Sequence, residues 1–115
     1  MLNQSIVVGR LVDKPRLITD ENGKKKSMIT VAVPRSYKNA NGDYETDFVD
    51  CILWAGIAES TVEYCMKGDI LGIKGHIEID YVEKNGENIK VTNLVAEKVS
   101  FLSSNKNSSD NNGTN

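Results

Sequence analysis

A chain of 115 residues with 14 Lys and Arg, 16 Asp and Glu and a net charge of −2 has room for one small domain around one core. Hydrophobic residues make up 39% and charged residues 26%, the balance of a soluble globular protein, and no apolar run approaches the ~20 residues that a spanning helix needs. A pI near 5.4 disfavours a nucleic-acid partner on average charge alone, but phosphate binding follows local charge, so the placement of the cations decides.

In chain order, Leu2 to Val12 is rich in β-branched residues and predicts a first strand, with Gly9 as the mark of a bulge or bend. Asn22-Gly23 signals a hairpin. Ser27 to Val33 then alternates, with Ile29, Val31 and Val33 on one face. Pro34 removes a ladder donor and points to an edge or an abrupt bend. Asn39 to Asp43 is a second turn, and Tyr44 to Ala55 a third strand. From Ile57 to Met66 the residues Ala58, Val62, Cys65 and Met66 recur at helical spacing, and Gly68 follows as a stop signal. Ile70 to Val82 and Ile89 to Leu102 predict the last two strands, joined at Asn85-Gly86 by a tight turn. Five strands with one short helix between the third and fourth are the layout of an all-β OB-fold, a Greek-key barrel. Residues 1–102 form this domain. Residues 103–115 hold no apolar side chain, so a disordered polar tail is expected there.

No constellation of catalysis stands out. Neither a phosphate-cradling glycine loop, a nucleophile elbow nor a zinc-protease helix is present. His76 with Cys51 is the one nucleophile and base pairing available, and a lone His on a strand is far more often a surface or packing residue. Glu78 and Asp80 share a strand face, which reads first as a solvated face. Cys51 and Cys65 are expected reduced and buried, with a single disulfide between them as the alternative. With one His and two distant Cys there is no metal-ligand spacing, so neither metal nor cofactor is expected.

The aromatic residues say more. In the third strand Val49, Cys51 and Leu53 make an apolar face that belongs inside the barrel. Phe48 and Trp54 then point outward beside Asp50 and Ile52. Outward rings are what a single-strand binder needs, because each base stacked on a ring contributes roughly 1–3 kcal/mol. Packing against a neighbouring subunit accounts for the same pattern equally well. Lys24, Lys25 and Lys26 read as a solvated turn. Arg35-Ser36-Tyr37-Lys38 instead mixes cations with a stacking ring, the combination that binds phosphate and base together, and Arg10 and Lys74 add cations on the first and fourth strands.

These residues resemble a known family. The stretch Asn3 to Leu11 ending Val8-Gly9-Arg10-Leu11 is similar to the opening strand of the bacterial and phage single-stranded DNA-binding proteins. So are Pro15, Asn22-Gly23, Thr30-Val31-Ala32-Val33, Thr46-Asp47-Phe48, Trp54 with Ala58-Glu59, Lys67-Gly68-Asp69, Val91-Thr92 through Ala96, and Val99 to Leu102. The resemblance implies a non-enzymatic, cytoplasmic protein of a bacterial cell or phage-infected host. It implies binding and protection of single-stranded DNA without sequence preference, in replication, recombination, repair or DNA uptake, by a homotetramer, with a dimer as the alternative. It places base stacking at Tyr37, Phe48, Trp54 and Tyr81, and phosphate contacts at Arg10, Arg35, Lys38 and Lys74.

Several positions depart from the family pattern. Gln4 replaces a common Arg or Lys, Ala55 and Gly56 stand where basic residues often follow the aromatic, and Glu78 and Asp80 replace polar or basic residues. The segment from Gly75 to Gly86 is one residue short, and by alternation Tyr81 travels with Ile77 and Ile79. Fewer phosphate contacts and a shallower salt dependence are expected as a result. The sequence ends Asp110 to Asn115 with one acid and no aromatic in place of the family's acidic and aromatic tip, so either recruitment of replication and repair enzymes through such a tip is lost or the sequence is truncated. The competing readings are a protein-interaction or oligosaccharide-binding OB domain, and a binder of single-stranded RNA.

Overall fold

Strict alternation of apolar residues builds the first hairpin. β3 (Lys25–Lys38) pairs antiparallel with β4 (Tyr44–Trp54), and the register sets Ser27 against Leu53, Ile29 against Cys51 and Val31 against Val49, all facing inward. The intervening turn is held by Asn39, whose Oδ1 accepts the backbone N–H groups of Asn41 and Asp43. A computed structural model of the chain describes residues 1–104, and the polar tail expected from residue 103 falls outside them from residue 105 onward.

The remaining elements are β1 (Ser5–Leu11), the two-residue β2 (Ile18–Thr19), α1 (Ala55–Tyr64), β5 (Ile70–Lys84) and β6 (Glu87–Ser103). The sheet runs β1-β5-β6-β4-β3-β2, and β1 also pairs with β3, which closes a five-stranded barrel. All its long pairings are antiparallel except β4 with β6, which meet in parallel at Cys51–Leu94 and Ile52–Val95. Helix α1 fills the connection between β4 and β5. This is the OB topology expected from the sequence, with β2 added at the edge across the Asn22-Gly23 turn.

Leu11, Val31, Cys51, Leu53, Leu71, Ile73 and Leu94 are fully buried, with Ala58 and Cys65 packed onto them from the helix and its C-terminal end. Each large side chain so buried contributes about 1.5–3 kcal/mol. Both cysteines are free thiols.

Three local features differ from the sequence reading. No register shift occurs at Gly9. Glycine is needed there because a Cβ would lie 2.8 Å from the Ala32 carbonyl and 2.9 Å from Val33 Cγ2, where β1 crosses onto β3 to close the barrel. β3 does not stop at Pro34 but continues to Lys38 through a register irregularity after the proline. The helix spans 55–64 rather than 57–66, because Ala55 adopts φ +48° and turns the chain directly from β4 into α1. The Asn85-Gly86 turn is as the sequence requires, with φ of +53° and +79°.

Candidate nucleic-acid interface

The outward side of β3 and β4 follows from the same alternation that fills the core. Lys26 lies opposite Trp54, Met28 opposite Ile52, Thr30 opposite Asp50 and Ala32 opposite Phe48. Phe48 is 65% exposed, held up on the open face of the barrel rather than packed. Trp54 is half-buried six residues along the strand, about 20 Å away by strand rise. Register extends the line to a third strand. Arg10 of β1 lies opposite Ala32, which itself lies opposite Phe48, so the Arg10 and Phe48 backbones stand two strands, about 10 Å, apart. Its Nη1 donates to the Gly68 carbonyl at 2.6 Å, which orients the guanidinium without neutralising it.

The cations over Trp54 are the clearest feature of this face. Lys24 Nζ stands 4.3 Å from the ring centroid and Lys26 Nζ 5.5 Å from it, both within cation–π range. Composition alone gives these lysines only as a solvated turn. What assigns them is the Lys26–Trp54 register, which no local pattern in the chain displays. Lys25, between them, turns the other way toward Glu59 of the helix.

The far end of the same hairpin is organised differently. Tyr37 is 63% exposed, and the Arg35 guanidinium lies 5.9 Å from its ring. Arg35 also donates to both carboxylate oxygens of Asp47 at 3.0 Å and to Glu45 at 2.8 Å. These bonds hold Asp47 below the usual carboxylate range and Arg35 firmly charged. The cation is therefore balanced in the free protein, and a phosphate reaches it only by exchange with a carboxylate. Tyr37 accompanies Arg35 on the Glu45 and Asp47 side, not in the Phe48 and Trp54 row. Lys38 Nζ lies 5.7 Å from the ring of Tyr44, an exposed aromatic that continues the outward parity of Phe48.

The β5–β6 hairpin carries the remaining candidates. Tyr81 lies opposite Lys90, is 68% exposed and alternates with Ile77 and Ile79 as the sequence implied. On the other side of this hairpin His76 is clamped between two carboxylates, Nε2 to Glu78 at 2.6 Å and Nδ1 to Glu97 at 2.7 Å. Glu78 first, and Glu97 after it, raise the pKa of the imidazole above its ordinary value. Asp80 accepts from Asn93. Lys74 lies opposite Ile6 and Lys98, off the Arg10–Ala32–Phe48 line, beside a surface of exposed Ile6, Val8 and Leu102.

The Cys51 and His76 pairing is not assembled as nucleophile and base. Cys51 is sealed in the core, where burial pushes its thiol up to about 12, and His76 is engaged by Glu78 and Glu97 on the surface. Among the described residues no group of His, Cys, Asp and Glu could hold a metal ion, and no helix is long and apolar enough to cross a membrane.

An OB barrel with an open aromatic row and cations stacked on its rings belongs among the barrels that bind extended polymers across one face. The model of the single-strand binding protein family matches residues 2–102, and the chain belongs to that family. Single-stranded DNA-binding protein B of Bacillus subtilis (strain 168) is 42% identical over 103 residues, 89% of this chain and 91% of that protein. Single-stranded DNA-binding protein 1 of Staphylococcus aureus (strain MSSA476) is 38% identical over 112 residues, 96% of this chain and 71% of that protein. The single-stranded DNA-binding protein of Enterococcus faecalis (strain ATCC 700802 / V583) is 36% identical over 115 residues, 99% of this chain and 61% of that protein.

Proposed function

We propose that the chain binds single-stranded DNA without sequence preference across the outward face of β3 and β4, and that it does so as a binding protein and not as an enzyme. The observation that carries this reading is the Phe48–Trp54 row, two accessible rings on one strand face with Lys24 and Lys26 poised over the second. Stacking on rings is tolerant of sequence because every base has a π-face. Phe48 and Trp54 are the main platforms, with Tyr37 and Tyr81 meeting the strand at the two hairpin arms. Arg10, Lys24, Lys26 and Lys38 neutralise phosphates, Arg35 joins them when Asp47 releases it, and Lys74, on the Ile6 and Leu102 surface, lies off this track.

Family membership supports roles in replication, recombination and repair. The exposed Ile6, Val8 and Leu102 surface supports association of copies, with a homotetramer as the expected state and the cytoplasm as its place of action.

Fluorescence anisotropy of labelled oligo(dT), the matched duplex and a matched RNA strand tests the reading. Tight binding of the DNA single strand, weakening with salt and not matched by the duplex, is the expected result. Equal or tighter binding of RNA moves the assignment to RNA. No binding of any of the three removes the nucleic-acid reading.

A further inference from the structure

Between Phe48 and Trp54 the β4 row offers a strand no ring. It presents Asp50, whose carboxylate accepts the Thr30 hydroxyl at 2.7 Å, and Ile52. The cross-strand neighbours of these two residues, Thr30 and Met28, form one wall of a cleft of about 380 Å3. The opposite wall is the loop after β1, pinned by the bond from the Val12 N–H to the Thr30 carbonyl at 3.0 Å and by the buried Pro15. We infer that this cleft is a side pocket for one nucleobase of the bound strand, taking a base that cannot stack between the two rings. The inference rests on the β3–β4 face being the DNA track.

Four observations carry it. The volume lies within the roughly 300–1,000 Å3 of ligand sites. The lining is apolar where a base would lie, with Val12, Ile18 and Met28 all exposed in the free protein, and a thioether packs well on an aromatic ring. Two cations, Lys14 and Arg16, also line it, and no ion pair engages either among the described residues, in contrast to Arg35. The third charged lining residue, Asp13, has its Oδ1 turned to the Lys14 backbone N–H at 2.8 Å. Finally, the cleft is continuous with the track, because Met28 and Thr30 belong to both. A nucleotide whose base enters between Val12 and Met28 leaves its phosphate within the field of Lys14 and Arg16, so charge and shape favour one occupant.

Methionine methyl groups report on this directly. The chain has three methionines, Met1, Met28 and Met66, and only Met28 lines the cleft. With 13C-methyl methionine label in the whole chain, titration with oligo(dA) is expected to move the Met28 signal upfield by ring current, in step with Trp54 quenching, while Met66 stays fixed. Val12→Phe, at a partly exposed position, fills the mouth of the cleft. It is expected to weaken oligo(dT) binding roughly tenfold while leaving the quenching at saturation unchanged. An unmoved Met28 signal at full Trp54 quenching, or wild-type affinity in V12F, overturns the pocket and leaves the track standing. If Trp54 is not quenched and no oligonucleotide binds, the track and the pocket fall together.

Discussion

The two long hairpins of the barrel are built alike and equipped differently. Both run well past the core, both turn at an Asn-containing tight loop, and both carry cations, acids and at least one exposed aromatic. On β3–β4 cations lie over rings, Lys24 and Lys26 on Trp54 and Lys38 on Tyr44. On β5–β6 three acids take polar partners instead, Glu78 and Glu97 on His76 and Asp80 on Asn93. A cation held by a ring trades that ring for a phosphate at little cost, whereas a carboxylate on the surface repels one. The difference shows how a chain of net charge −2 gathers cations on one face: the arrangement of charges matters more than their sum.

The comparison breaks most visibly if the rings are removed from the first hairpin. Phe48→Ala with Trp54→Ala is expected to weaken oligo(dT) binding by about 2–6 kcal/mol, since the two sites are far enough apart to add. Anisotropy titration checks this, and a double mutant within about 0.5 kcal/mol of wild type removes the row from the interface. Next in size, Lys24→Ala with Lys26→Ala should lower the slope of log K against log[salt] by about 1.4, two contacts at roughly 0.7 each on a single strand. An unchanged slope would mean the two ammonium groups serve Trp54 alone.

The second hairpin supplies the smaller effects. Tyr81→Ala is expected to cost less than Phe48→Ala, under about 1 kcal/mol, because Tyr81 stands on the β5–β6 arm, off the Phe48–Trp54 row of β4. A larger loss than Phe48→Ala would reverse the ranking of the two hairpins. The His76 clamp predicts a pH effect on stability. With the folded pKa above the ordinary 6.5, the clamp contributes fully below that value and is lost as pH rises through the raised one. Thermal melts of wild type should therefore decline toward alkaline pH relative to His76→Gln, and parallel curves would show that the clamp adds nothing.

Much of the fold is readable in the chain, because it depends on local signals. Alternation at Ile29, Val31 and Val33, and at Val49, Cys51 and Leu53, separates inside from outside, and the Asn-Gly pairs locate the turns. The exposure of Phe48 follows from that parity alone. Features set by pairing between distant segments are not readable in this way. Arg35 reaches Asp47 and Glu45 only because Val33 lies opposite Asp47. Lys26 meets Trp54 only through register, and the need for Gly9 arises where β1 crosses Ala32 and Val33. Parity gives the face of a side chain, and register gives its neighbours. The candidate site was thus legible in its rings and not in which cations are committed.

The most direct test of the central claim uses Trp54, the chain's single tryptophan. Its emission is followed while oligo(dT) is added at low and high salt, with duplex DNA as the control. Strong quenching by the single strand alone, reached at higher concentration as salt rises, is the predicted result. Binding detected by anisotropy with Trp54 emission unchanged would contradict the account, because the strand would then lie on some other face of the barrel.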